Sequence, residues 1–345
     1  MTERPGFASD NHAGVHPDVL HAVVAANEGH AASYGGDTWT ARALQRFREH
    51  FGPTARAFPV FNGTAANVLC IEALTAPWQA VVCARTAHLH VDECGAPERA
   101  GRKLLTVETP DGRLTPELVE PLLVRIGDEH AVQPRVISIT QSTEVGTVYT
   151  PDAIATLARW AHGHGLLVHV DGARLCNAAA ALGVPLRALT TDAGVDALSF
   201  GGTKNGAMGA EAVVLLRDDA GDGLKFLRKQ AMQLASKMRY MAAQLEALLA
   251  GDLWRRNAAH ANAMARRLAD AVSGVPGVRI TQPVEANAVF AILEPAVTER
   301  LQRDWPFYVW DERTGEVRWM TAWDTDPADV DAFAAAVTRS VQPSP

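Results

Sequence analysis

Three observations predict an α/β protein with a large, doubly wound, mainly parallel sheet domain and a smaller α+β C-terminal domain. Short apolar runs alternate with longer helical patterns, polar residues follow directly on those runs, and the pattern changes past residue 220. The strands are read at 80–84 (AVVCA), 103–107 (KLLTV), 135–140 (RVISIT), 166–171 (LLVHVD), 197–200 (ALSF) and 212–216 (AVVLL). Each is apolar at consecutive positions, as strands covered on both faces are. Helical patterns fill 64–75, 115–126, 150–165 and 176–183. The third opens on Thr150-Pro151, an N-cap followed by a first-turn proline, and stops at Gly163 or Gly165. Beyond 220, residues 223–251 read as one long amphipathic helix and 253–274 as a second. Short strands in GVRIT, NAVFAIL and EVRWMTAW and a closing helix over 328–341 follow. The resulting organisation is an N-terminal arm over 1–15, a large domain over 16–250 and a small domain over 251–345.

Composition narrows the function classes. The chain has 345 residues, 48% hydrophobic and 21% charged, which suits a folded protein with a large core and argues against disorder. A formal net charge of -7 and the lack of any long basic block argue against a nucleic-acid surface. Cys70, Cys83, Cys94 and Cys176 have no CxxC spacing, so they suggest neither a zinc site nor a disulfide framework, and no metal is expected. The N-terminus has no apolar signal core and no stretch is long enough to span a membrane, so a cytoplasmic location is expected.

In a doubly wound sheet, ligands sit beyond the carboxyl ends of the strands. Those positions are rich in polar groups here: His88 and His90 in TAHLHVDECGAPE, Thr143 and Glu144 in TQSTEVG, Asp171 and Arg174 in HVDGAR, and Lys204 in SFGGTKNG. Lys204 could grip phosphate or act as a nucleophilic amine. A P-loop needs GxxxxGK followed by Ser or Thr, whereas Thr203 precedes Lys204 and Asn205 follows it, so the phosphate reading fails on spacing. A Schiff-base lysine works with pyridoxal phosphate, whose ring needs an acid against its pyridine nitrogen. Asp171 ends a strand and meets that need. The cofactor's phosphate needs a helix N-terminus, and Asn62, Gly63 and Thr64 in FNGTAAN supply one. If TAHLHVD is extended, only one of His88 and His90 faces the site.

These motifs, in this order, together with SDNHAGVHP and YGGDTWT near the N-terminus, resemble the low-specificity threonine aldolases. Those are pyridoxal-phosphate enzymes of the aspartate-aminotransferase-type fold (fold type I). TQSTEVGTVY and QLASKMR are similar to the bacterial branch that includes phenylserine aldolase. The resemblance implies that Lys204 binds the cofactor covalently, that Asp171 partners the pyridine nitrogen and that His88 stacks on the ring. Gly63 and Thr64 match the phosphate loop. Arg174, Ser9 and Arg318 match a clamp on the substrate carboxylate, a task suited to a guanidinium fork. Many members carry a histidine that contacts the substrate hydroxyl where this chain has Glu144; a carboxylate there could act on the hydroxyl or hydrogen-bond a water or His88 instead, which places Glu144 near the reaction and leaves the proton acceptor open.

The implied reaction is retro-aldol cleavage of a β-hydroxy-α-amino acid, of the threonine, allo-threonine or phenylserine type, to glycine and an aldehyde. Cofactor motifs alone leave β-elimination, transamination or a non-catalytic cofactor-binding role as alternatives, because the same electron sink serves each of the reactions. The family also implies a homo-oligomer, dimer or tetramer, with active sites at the subunit interface. Lys229 and Arg239 in RKQAMQLASKMR are the candidates to reach a neighbour's phosphate, and Trp39, His12 and His30 the candidates to border the side-chain pocket.

Overall fold

The computed structural model describes residues 6–219 and 221–341, so the first five positions of the expected arm lie outside the described residues. Helices α1 (Pro17–Ala25) and α2 (Thr38–Phe51) lead into a seven-stranded sheet. The chain runs β1 (Arg56–Val60), α3 (Gly63–Leu74), β2 (Gln79–Ala84), the one-turn α4 (His88–Val91) and α5 (Ala96–Arg99), β3 (Lys103–Val107), and α6 (Pro116–Val119). It continues through β4 (Gln133–Thr140), α7 (Pro151–Gly163), β5 (Leu167–Gly172), α8 (Leu175–Leu182), β6 (Ala197–Gly201) and β7 (Glu211–Leu215).

Strand order is β1-β7-β6-β5-β4-β2-β3. Strands β2 to β6 pair in parallel, and β7 is antiparallel to both β6 and β1. Each strand read from an apolar run is present. Strand β1 was not among them, because Arg56 and Pro59 interrupt its pattern. It lies at the sheet edge, where a proline's missing N–H is tolerated.

Two expected helices are divided. The 115–126 pattern is α6 followed by a 3-10 turn over Glu120–Leu123, because Pro121 has no N–H to give to the preceding turn. The 223–251 pattern is α9 (Leu224–Gln230) and α10 (Met238–Leu249), separated by a loop in which Met232 takes a φ of 61°. The halves serve different neighbours: α9 packs on α3, and α10 packs on α1 and α2.

The C-terminal elements are α11 (Leu253–Val272), β8 (Arg279–Ile280), β9 (Ala288–Ile292), α12 (Pro295–Gln302), β10 (Tyr308–Asp311), β11 (Glu316–Met320) and α13 (Pro327–Val341). The four strands form an antiparallel sheet ordered β10-β11-β9-β8.

Apolar burial is split between two main cores. The larger packs Phe47 and Phe51 against Phe200 beneath the parallel sheet, and the other gathers Trp319, Phe307 and Phe333. Helix α11 belongs to both, with Trp254 in the first and Leu268 in the second. Phe7 of the arm is buried in the second core, stacked on Phe333 at 4.5 Å. Its main chain is fixed by Phe7 N–H to Pro306 O at 2.7 Å and Met320 N–H to Phe7 O at 2.8 Å. The arm therefore enters the smaller core before it reaches the sheet edge.

Candidate active site

A cavity of about 390 Å³ opens at the carboxyl end of the parallel strands, lined in part by Asn62, Gly63, Thr64, His88, Asp171 and Lys204. The phosphate side is built by α3. Asn62 caps it, accepting the Ala65 N–H at 2.9 Å, and no protein acceptor among the described residues takes the Gly63 or Thr64 amide. A Cβ built on Gly63 would meet nothing within 4 Å, so the turn is open to an anion at the positive end of a 12-residue helix.

Across the cavity, Asp171 ends β5 and is 4% exposed. Both carboxylate oxygens are held, one by Asn67 Nδ2 at 2.8 Å and the other by Ala173 N–H at 3.0 Å. Lys204 follows β6 on a 3-10 turn over Thr203–Asn205. The nearby Arg174 charge, aided by burial, holds its ammonium below the usual lysine range, against the pull of Asp10, Asp171 and Glu211.

His88 does not sit on an extended segment. Residues 88–91 form the helical turn α4, on which His88 lines the cavity and His90 is exposed to solvent. The Glu144 carboxylate accepts the His88 backbone N–H at 2.8 Å and the Thr140 hydroxyl at 2.7 Å. Burial raises its pKa, and it is not among the cavity-lining residues. Of the tasks left open for Glu144 near the reaction, this geometry shows contact with His88, at its backbone N–H, so that the carboxylate anchors the turn that presents His88.

The carboxylate clamp is divided. Arg174 is committed to the buried Asp10 through a two-point bridge, Nε to Oδ2 at 2.7 Å and a terminal nitrogen to Oδ1 at 2.9 Å. Arg318 bonds only the Ala8 carbonyl at 3.3 Å, beneath Trp310 at 4.7 Å, and has no carboxylate within ion-pairing reach among the described residues. Burial and the Arg174 charge lower its pKa to about 10. Ser9 caps the turn at Asp10–His12 by accepting the Asn11 N–H at 3.2 Å.

Several expected neighbours lie elsewhere. Lys229 stands over the Tyr34 ring at 5.4 Å, and Arg239 donates to the Gly29 carbonyl at 3.0 Å, beside a separate cavity that His30 also lines. His12 borders a small cavity with Ser9, and Trp39 packs against the main core. None of these five lines the Lys204 cavity. The glycines before Lys204 let backbones meet: a Cβ on Gly201 would stand 2.6 Å from Ala173 O, and one on Gly202 2.5 Å from Ala210 O.

Sequence reasoning did not single out Asn67, Glu93 or Glu211. Asn67 lies one turn into α3 and Glu93 two residues past the end of α4, positions that acquire meaning only once the course of the chain through both elements is known. Glu211 looked like the start of an apolar strand. It lines the cavity, its carboxyl raised to about 7 by burial, against bonds from Thr203 and Gly202 and the Lys204 charge.

Residues 6–296 match the beta-eliminating lyase family. The chain is 46% identical over 323 residues to a low-specificity L-threonine aldolase of Pseudomonas aeruginosa, covering 93% of each sequence. It superimposes on a threonine aldolase structure from Leishmania major with a TM-score of 0.92 and 30% identity, covering 96% of this chain and 98% of that one. An aspartate aminotransferase of Thermus thermophilus matches at a TM-score of 0.70 and 16% identity over 95% and 94% of the two chains, a likeness of fold alone.

Proposed function

The chain belongs to the beta-eliminating lyase family and is close to its low-specificity threonine aldolases, and on that premise we propose which groups carry its carbon–carbon lyase reaction. The protein cleaves β-hydroxy-α-amino acids to glycine and an aldehyde. We infer that pyridoxal phosphate serves it, as an electron sink for the pair released when the Cα–Cβ bond breaks. The observation that carries this reading is one cavity walled by an open helix N-terminus, a buried aspartate with both oxygens fixed and a lysine of lowered basicity. That donor set fits the group: Gly63 and Thr64 for the phosphate, Asp171 for the pyridine nitrogen, Lys204 for covalent attachment and His88 for the ring face.

Arg318 takes the substrate carboxylate, because it is the guanidinium in this region not committed to an internal carboxylate. Arg174 holds Asp10, and so the arm carrying Ser9, against the same region. His88 lies on the cavity side and receives the hydroxyl proton. The division into an arm over 1–15, a cofactor domain over 16–250 and a small domain over 251–345 follows this reading, with Arg318 reaching the site from the small domain.

A cytoplasmic location agrees with four unpaired cysteines and with the absence, among the described residues, of a helix long and apolar enough to cross a membrane. A homo-oligomer agrees with exposed Phe61 and Met208 in the cavity wall, and Lys229 and Arg239 are the candidates to serve a neighbouring subunit's phosphate.

The test supplies threonine, allo-threonine, phenylserine, serine and a keto acid in turn and measures glycine, aldehyde, ammonia and amino-transfer products. Equimolar glycine and aldehyde is expected. Ammonia or amino transfer without glycine would replace the aldolase reading with another reaction of the same cofactor.

A further inference from the structure

A continuous chain of buried polar groups runs beneath the cavity, and its hydrogen-bond directions are determined from within. Asn67 Nδ2 lies 2.8 Å from both Glu93 Oε1 and Asp171 Oδ2. Two acceptor carboxylates on one nitrogen require the Asn67 amide to point both N–H groups at them, which leaves Oδ1 to accept. The Ser199 hydroxyl donates to that oxygen. Having one proton, Ser199 cannot also donate to His169 Nε2 at 2.9 Å, so His169 carries its proton there. Its Nδ1 then accepts from the Ser138 hydroxyl at 2.9 Å. A neutral His169 agrees with its full burial, which lowers its pKa to about 4. At the other end, Glu93 Oε1 lies 3.0 Å from His88 Nδ1 and is an acceptor, so Nδ1 is the donor.

We propose that Glu93, tied to Asp171 through Asn67, is a positioning residue that fixes His88 with its proton on Nδ1 and directs Nε2 to the substrate as the proton acceptor. The inference rests on the reading of this cavity as an aldolase site. Nε2 has no protein hydrogen-bond partner among the described residues, whereas the Glu93 side chain is wholly buried. In the forward reaction the substrate O–H bond breaks and an N–H bond forms at Nε2. The oxygen's bonding pair becomes the second bond of the aldehyde carbonyl, and the Cα–Cβ pair stays with the glycine fragment, for which the bound cofactor would supply the electron sink. A proton added at that fragment's α-carbon completes glycine.

The charges facing His88 are Glu93 from the α4–α5 turn, Asp171 from β5 and Lys204 after β6, with the Glu144 carboxylate at its backbone N–H. The hydrogen bond from His88 to Glu93 leads in holding the imidazole above its usual pKa, opposed by burial and by Lys204. Removing the Glu93 charge while keeping an acceptor oxygen isolates its contribution.

The experiment labels histidine with 15N in the cofactor-loaded protein and reads, through ring-proton correlations, which His88 nitrogen is protonated as pH is varied. His88→Asn assigns the signal. The wild type is expected to show the Nδ1–H form above its transition. Glu93→Gln should lower the His88 transition by about one pH unit and move the acid limb of kcat/KM with it, with the cofactor's visible absorbance retained. Glu93→Asp, which keeps the charge, should restore part of the shift. An Nε2–H form in the wild type, or a His88 transition unmoved in Glu93→Gln, would overturn the proposal. Because this readout needs no turnover, a wild type that releases no glycine would remove the aldolase reading alone.

Discussion

Lys204 and Arg318 show how far a residue's chemistry could be read before its surroundings were known. The pairing of a strand-end lysine with a strand-end aspartate was legible because each sits directly after an apolar run, and the structure brings both to one cavity. Borohydride reduction of the cofactor-loaded protein should attach the cofactor to the peptide containing Lys204. Lys204→Ala should lose both that adduct and the visible absorbance of the bound cofactor, while cofactor on another lysine would remove the assignment. The difference between Arg174 and Arg318 was not legible, because it depends on Asp10 of the arm folding back onto Arg174. Arg318→Ala should raise KM for the amino acid by about 10- to 100-fold, the worth of a charged hydrogen-bond pair, with a smaller change in kcat. Arg318→Lys should fall between, since an ammonium cannot form the planar fork. A KM unchanged in both variants would move the carboxylate site elsewhere. For Glu144 the sequence left open whether it meets the substrate hydroxyl, a water or His88, and its contact with the His88 backbone N–H was not legible because a backbone donor carries no side-chain signature.

At the level of elements, apolar runs identified six of the seven strands of the large sheet and missed β1, the edge strand whose proline breaks the pattern, and in the small sheet the edge strand β10 was also not read. Neither helix break was read from the sequence, and only one had a residue type to mark it. Pro121 was such a signal in the 115–126 pattern, but nothing comparable marks the break between α9 and α10, which follows from their packing on different helices. The glycines of β6 and its turn carry an element-level prediction. Gly201 lies where β6 passes the Ala173 backbone just after β5, and the neighbouring atoms are main chain, which cannot rotate aside. Gly201→Ala should therefore destabilise the protein by about 1–3 kcal/mol, as overpacking does. It should also loosen cofactor binding, because Ala173 and Lys204 both line the cavity. Thermal melts with and without pyridoxal phosphate test both parts. An unchanged melting temperature would mean that β5 and β6 can separate at this point without penalty.

For the molecule as a whole, the arm is the part whose importance composition and periodicity did not show. It has no apolar run of its own, yet Phe7 is 1% exposed in the smaller core and Asp10, three residues on, is 1% exposed against Arg174. Asn287 Nδ2, just ahead of β9, also donates to Asp10 at 3.1 Å, so this carboxylate joins the arm to the sheet edge and to the smaller core. Burial by itself would raise the Asp10 pKa, but the Arg174 charge, the Lys204 charge and the hydrogen bonds from Arg174 and Asn287 outweigh it and lower the net value. A carboxylate depressed on folding contributes stability that is present above its unfolded pKa and is lost as pH falls through the folded one. Asp10→Asn keeps the shape, removes the charge and leaves Arg174 buried without a counter-ion. It should cost about 3–5 kcal/mol near neutral pH, the penalty for breaking one side of a buried pair. It should also abolish the part of the acid-induced loss of stability that sets in below the ordinary aspartate range of about 3.9. Denaturant unfolding of wild type and Asp10→Asn at several pH values measures both. If the gap between the two proteins stays constant from neutral pH to well below that range, the carboxylate is not the charge that holds the arm, and Phe7 alone fastens it.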